Sequence, residues 1–239
     1  MTNVSPAVRL TGIRKDFSGQ LVLENINLDL PMGKVTGLLG GNASGKSTIL
    51  KLLTGELTPS AGLIEVNGTV HRKLSYRTSQ ALGIMAVYQD LALCPQLSVV
   101  ENIFLGREWG HASVAARCLG LLDRKGMSAE AERRLRLIGV TLTSLGSPIL
   151  NLSGGQKQAT AFSRVFDPKW RVFLLDEPTS AFADNVKKNI CGIVRQFAHE
   201  DCAVLYISHD RAELQMVADR LVVLQRGVIV DESTVDARC

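Results

Sequence analysis

Residues 37–48 read GLLGGNASGKST, and no other string in the chain narrows the fold as far. Gly40, Gly45, Lys46 and Ser47 stand in the spacing GxxxxGK[ST], after a β-type run at 34–39 and at the head of the helical stretch 47–53. A glycine-rich turn between strand and helix lets backbone N–H groups converge on phosphate oxygens, and the helix adds the positive end of its dipole. Lys46 would neutralise phosphate charge and the Ser47 hydroxyl would ligate Mg²⁺, with Gly41, Asn42, Ala43, Ser44 and Thr48 completing the cradle. Triphosphate binding is the expected chemistry.

Such a loop belongs to a parallel sheet covered by helices, and the second half of the chain has that rhythm. After Leu152, helical stretches alternate with the apolar runs 171–177, 202–208 and 220–225. The front of the chain is β-rich: runs at 21–30 and 34–39 flank a Pro31-Met32-Gly33 turn, and a third at 63–68 follows a turn at 59–62. Between them, residues 99–139 read as a helical insert. There Ser128 caps a helix whose Leu135, Leu137 and Ile138 point inward and which Gly139 ends. The expectation is an α/β chain forming one domain over 1–239, with an N-terminal antiparallel β-subdomain and a helical subdomain at about 99–165.

Composition narrows the setting. In 239 residues, 46% hydrophobic and 21% charged, there is material for a large mixed core and none of the polarity of a disordered chain. No apolar run approaches the roughly 18 residues that cross a bilayer, and the first residues lack a signal-peptide pattern, so the chain is expected to stay in the cytosol. Cys94, Cys118, Cys191, Cys202 and Cys239 are scattered without metal-ligand spacing and read as core filler or free thiols. The basic residues behind the net charge of +4 are dispersed, which leaves no nucleic-acid patch.

The run 171–177 is an apolar strand that ends in carboxylates. Asp176 would hold Mg²⁺ through water, while Glu177 would orient and deprotonate the attacking water; phosphoryl transfer asks for this division because positioning and charge stabilisation dominate it. Between loop and acid lies LSGGQ at 152–156. Ser153, Gly154, Gly155 and Gln156 open a helix with exposed N–H groups and a hydroxyl, either as a plain serine cap or as a second anion site.

With the three motifs in this order, the chain resembles the ATP-binding-cassette (ABC) ATPases from Val8 to Val230. The resemblance implies that Ser153, Gly154, Gly155 and Gln156 contact the γ-phosphate held by the loop of a second cassette, in a head-to-tail homodimer or heterodimer. It implies that Phe17 stacks on adenine, with a buried core phenylalanine as the alternative. Gln89 matches the glutamine that reaches Mg²⁺ and the attacking water, on a loop facing a membrane partner; His209 matches the histidine that touches the γ-phosphate. ATP and Mg²⁺ are the implied cofactors. Two positions depart from the pattern. Ala43 stands where many relatives have glycine and is tolerated if its backbone avoids positive φ, and Ala183 stands where many have aspartate, with Asp184 one place later.

The spacing of Lys46 and Ser153 leaves room for one helical subdomain, which excludes the chromosome-associated cassettes with long coiled coils, and no NKxD string suggests a GTPase. The segments 87–108 and 121–127 are similar to the ATPases of simple-sugar importers. The implied role is to power solute import, a simple sugar in the first reading, with a non-sugar transporter or a soluble regulatory ATPase as alternatives. The implied setting is the cytoplasmic face of the membrane, beside an integral-membrane permease and, indirectly, a periplasmic or extracellular solute-binding protein.

Overall fold

The computed structural model describes residues 6–111, 113 and 119–235. The chain divides into two compact units: Met1–Gln89 with Pro168–Pro178 and Cys191–Cys239, and Asp90–Asp167 with Thr179–Ile190.

The first unit is built on two sheets. Strands β1 (Pro6–Phe17), β2 (Gln20–Pro31), β4 (Ala61–Val66) and β5 (Thr69–His71) form an antiparallel sheet in the order β2-β1-β4-β5. Side chains alternate across it: Val8 and Leu10 of β1 and Ile26, Leu28 and Leu30 of β2 are buried, while Arg9 and Asp29 pair on the open face at 3.0 Å. The second sheet holds β3 (Val35–Leu39), β6 (Ile84–Val87), β7 (Val172–Asp176), β8 (Ala203–Ser208), β9 (Arg220–Gln225) and β10 (Val228–Thr234) in the order β10-β9-β3-β8-β7-β6. Every pairing in it is parallel except that of β10 with β9. Parallel strands are covered on both faces, which is why VFLLD and AVLYIS run apolar without alternation and are buried at every residue. Leu38, Leu174, Leu205 and Val222 of this sheet, Ile49 and Leu50 of helix α1 (Lys46–Leu53) and Leu10, Ile26 and Leu28 of the first sheet share one core.

The second unit carries helices α3 (Val99–Phe104), α4 (Arg124–Ile138) and α5 (Gly154–Phe162); α2 (Tyr76–Ala81), α6 (Asp184–His199) and α7 (Arg211–Val217) complete the set described. The insert at 99–139 is not one helical stretch. Gly110 and Leu122 form an antiparallel bridge between α3 and α4, and residues 112 and 114–118, with Cys118, lie outside the described residues, as does Cys239. Helix α4 starts earlier than Ser128, because Asp123 Oδ1 accepts from the Gly126 N–H at 2.9 Å and caps the turn upstream. Leu135 and Ile138 face inward as expected, but Leu137 is exposed, since it falls off the buried stripe of a 3.6-residue period. Gly139 ends the helix in the left-handed conformation, φ 90°.

The segment leading into α3 is held by one fully buried amide. Asn102 Oδ1 accepts from the Cys94 N–H at 2.8 Å, and its Nδ2 donates to the carbonyls of Cys94, Leu97 and Ser98 at 3.0–3.1 Å. Arg164 reaches the carbonyls of Asn102 and Ala92, both at 3.0 Å. Cys94 is half-buried and Cys191 and Cys202 are buried, all as free thiols; burial pushes the Cys191 thiol up to about 11, which removes it from thiolate chemistry.

Candidate functional site

Strands β3, β8, β7 and β6 are adjacent and parallel, so whatever follows their C-terminal ends is gathered along one edge of the sheet. The loop 40–45 follows β3, His209 follows β8, Asp176 ends β7 with Glu177 next, and Gln89 lies just past β6.

The loop curls tightly enough to need glycine at Gly45, where φ is 109° and a Cβ would run into Leu23. Gly40 needs its missing side chain for another reason: a Cβ there would approach the Leu224 carbonyl to 2.7 Å. Ala43 corrects the sequence expectation, since it sits at φ 60° and holds a left-handed conformation that costs an alanine about 1 kcal/mol or more. The curl leaves backbone donors unused. Among the described residues, no protein acceptor takes the backbone N–H of Asn42, Ala43, Gly45, Lys46 or Ser47. The Lys46 ammonium donates to the carbonyls of Gly40 at 2.7 Å and Gly41 at 2.8 Å and is mostly buried, a cation fixed beside five free donors. This is the donor set an oligophosphate requires.

The acidic half stands against it. Ser47 Oγ donates to Asp176 Oδ2 at 3.4 Å, so the residue that follows the lysine and the acid that ends β7 share one spot. Burial pushes the Asp176 carboxyl above its ordinary range and the neighbouring Glu177 charge adds to this, while Lys46 and the Ser47 hydroxyl pull it back. A hydroxyl and a carboxylate close together suit Mg²⁺, which takes few protein ligands and completes its shell with phosphate oxygens and water. Among the described residues there is no cluster of three or more His, Cys, Asp or Glu that could hold a metal by itself.

Glu177 adopts φ 50°, uncommon for a residue with a side chain, and its N–H is fixed by the Ile207 carbonyl at 3.0 Å. That backbone turns its carboxylate toward β8. There Oε1 accepts the His209 N–H at 2.9 Å and meets His209 Nδ1 at 2.7 Å. The carboxylate is 10% exposed and the imidazole 70%, so one partner is sheltered and the other open to an incoming group. The hydrogen bond that the ring gives to Glu177, and then the charge of that carboxylate, raise the His209 pKa above the ordinary value near 6.5. A raised histidine value adds stability that is complete below the unfolded pKa and is lost as pH climbs through the folded one. An NMR titration of His209 is expected to show a midpoint above that of an exposed histidine, falling toward it in Glu177→Gln.

Gln89 is exposed past β6, and no hydrogen bond among the described residues ties it to Ser47, Asp176 or Glu177. Phe17 ends β1 at 42% exposure with the Lys15 ammonium 4.8 Å from its ring centre, which decides against a buried core role. In the second unit, Ser153 caps α5 in a reciprocal box: its Oγ accepts from the Gln156 N–H at 3.3 Å, and Gln156 Oε1 accepts from the Ser153 N–H at 3.0 Å. The cap leaves the serine proton free to be given elsewhere. A Cβ on Gly155 would press on the Ala181 carbonyl at 3.2 Å, whereas Gly154 has neither a positive φ nor any atom within 4 Å of such a Cβ. Ala183 stands just before α6, where its carbonyl accepts from Val186 and Lys187, both at 3.0 Å, and it offers no side chain to cap that helix.

Not foreseen from the sequence were Ser208 and Asp210, which flank His209 in the chain, and Tyr206 and Glu213, which hydrogen-bond to one another and, through Glu213, to Ser208. The Asp-x-x-Glu spacing at 210–213, a helix-start pattern, was the available signal.

A glycine-rich loop with a buried lysine at the end of a parallel strand, an acid ending another strand two places along the sheet, an antiparallel sheet and a helical unit with a capped LSGGQ define the class of P-loop proteins with the ATP-binding-cassette fold. The profile of the ABC transporter family matches residues 23–180, more than half of the chain, and the protein belongs to that family. The chain is 35% identical over 232 residues to "Ribose import ATP-binding protein RbsA 1" of Streptomyces avermitilis, a match covering 97% of this chain and 43% of that protein. It is 34% identical over 224 residues to "Ribose import ATP-binding protein RbsA" of Streptococcus agalactiae, 94% of this chain and 44% of that one. It thus spans less than half the length of these relatives. Among solved structures, the ATP-binding cassette MJ0796, dimeric and bound to ADP and Pi, has the same fold at a TM-score of 0.82 and 22% identity, covering 95% of this chain and 98% of that one. No helix among the described residues is long and apolar enough to cross a membrane.

Proposed function

We propose that the protein binds and hydrolyses ATP to drive solute import, with a simple sugar as the cargo class. The observation that carries this is the run of five unaccepted N–H groups at 42–47 next to the buried Lys46 ammonium, two of them on the buried residues Gly45 and Lys46, because buried donors without partners are rare unless a ligand supplies the acceptors. In this reading Gly40, Gly41, Asn42, Ala43, Ser44, Gly45, Lys46, Ser47 and Thr48 hold the phosphates, Phe17 offers its exposed ring to the adenine, and Ser47, Asp176 and Gln89 are the residues that would hold Mg²⁺. Bound Mg²⁺ would supply charge neutralisation for the leaving phosphate. Glu177 takes the proton of the attacking water, and His209 orients that carboxylate and faces the γ-phosphate with its open ring.

The role of Ser153 to Gln156 extends the proposal to a second cassette. Glycine weakens the first turn of a helix, and Gly154 has no internal reason for lacking a side chain; a closely approaching anion on a partner subunit gives it one. The two units then act as one ATP-binding domain whose hydrolysis needs a paired copy. The ribose-import names of the relatives support a sugar permease, a solute-binding protein and a place on the cytoplasmic face of the membrane. Turnover per subunit is expected to rise with protein concentration, and Ser153→Glu to lower it at least about tenfold by setting a charge against the γ-phosphate, with ATP affinity of the single subunit unchanged. Full-speed hydrolysis by a verified monomer of that variant would overturn the shared site. Co-purification with a polytopic permease, and stimulation by a pentose-loaded binding protein, test the cargo.

A further inference from the structure

His209 sits in a two-residue link between β8 and α7, and its ring is open to solvent, so packing does not hold it. Behind it lies a closed circuit of polar groups in which Ser208 and Glu213 are buried and Asp210 is exposed. Glu213, 8% exposed, accepts from Tyr206 Oη at 2.6 Å on one carboxylate oxygen and from Ser208 Oγ at 2.8 Å on the other. Ser208, wholly buried, uses the same hydroxyl to accept the Asp210 N–H at 3.1 Å. Asp210 Oδ1 in turn accepts from the Ala212 N–H at 2.8 Å and the Glu213 N–H at 3.4 Å, which returns the circuit to its start. His209 is the one residue of the turn inside the ring whose own N–H points the other way, to Glu177 at 2.9 Å.

We propose that Glu213, through Ser208, is a positioning residue for the His209–Glu177 pair. The physical reason lies in the hydroxyl. A serine proton given to a carboxylate leaves an oxygen that is a stronger and better-directed acceptor, because hydrogen bonds in a chain polarise one another. The Asp210 N–H is thereby fixed, the peptide planes on both sides of His209 are set, and the His209 N–H and Nδ1 converge on a single oxygen of Glu177. A carboxylate is the suitable group at 213: it has acceptor capacity for both hydroxyls at once, whereas a glutamine has one acceptor oxygen to divide between them. Tyr206 donates to the carboxylate oxygen that Ser208 does not use, so its hydroxyl is assigned to holding Glu213 and not to the aim of His209.

This rests on the proposed reading of His209 and Glu177 as hydrolytic groups, and the test separates the two. Ser208→Ala, Glu213→Gln and Tyr206→Phe are compared with wild type in steady-state ATPase assays and by ¹⁵N NMR of the His209 ring. Ser208→Ala and Glu213→Gln are expected to lower kcat roughly tenfold or more with KM for ATP unchanged, as a small displacement of a reacting group does. Both are also expected to move the His209 Nδ1 signal toward that of a free imidazole, while Tyr206→Phe leaves kcat and the signal as in wild type and lowers only the melting temperature. The positioning role is overturned if the His209 signal is unmoved in Ser208→Ala and Glu213→Gln, or if Tyr206→Phe moves it equally. The NMR arm reads the geometry whether or not ATP is hydrolysed, so an inactive wild type would count against the hydrolytic reading alone.

Discussion

Glu177→Gln is expected to slow ATP hydrolysis about a thousandfold while leaving ATP affinity within about twofold, the range of loss seen when a positioned general base is removed. The geometry makes this substitution clean. A glutamine keeps an oxygen for the His209 N–H, now 2.9 Å away, and the left-handed backbone at φ 50° is already in place, so the fold around it stays. What disappears is the capacity to accept a proton. Because binding survives and turnover does not, nucleotide-loaded subunits should accumulate as pairs, which sizing chromatography with ATP would detect. Monomer alone under saturating ATP, or turnover within tenfold of wild type, would remove Glu177 from the role of base.

The second large effect is on binding. Lys46→Ala is expected to raise the dissociation constant for ATP about a hundredfold, near 3 kcal/mol, the order expected when charged hydrogen bonds to a ligand are lost. Lys46 is mostly buried and its ammonium already rests on the carbonyls of Gly40 and Gly41, so the cation is presented to a phosphate with little freedom left to lose. The five N–H donors remain in the variant, which is why residual binding is expected instead of none. Lys46→Arg should recover little, because a planar guanidinium does not fit where a compact ammonium bridges two carbonyls. Equilibrium titration with a fluorescent ATP analogue measures both; an unchanged affinity in Lys46→Ala would sink the cradle.

Local chemistry accounts for what could be read in advance. The strand-to-helix loop at 40–47, the acids at 176 and 177 and the serine cap at 153 are short motifs whose meaning lies in neighbouring residues. The misreadings are also local in origin. Ser128 lost the helix start to Asp123, five residues upstream, because two capping residues competed and sequence does not rank them. The φ of 60° at Ala43 is invisible in the letters, since alanine rarely holds it unless the loop around it forces the turn.

By itself, then, the sequence determined which groups are present and on what kind of element each stands: a phosphate loop before a helix, carboxylates at the end of a buried strand, a histidine after another. Only the tertiary structure decided that these ends meet. The spatial order β3-β8-β7-β6 places residues from four distant stretches on one edge and brings Ser47 to Asp176 and His209 to Glu177. The reason is physical. Strand order in a parallel sheet is set by long crossovers and by the burial of both faces, which depend on the whole chain at once and leave no local mark.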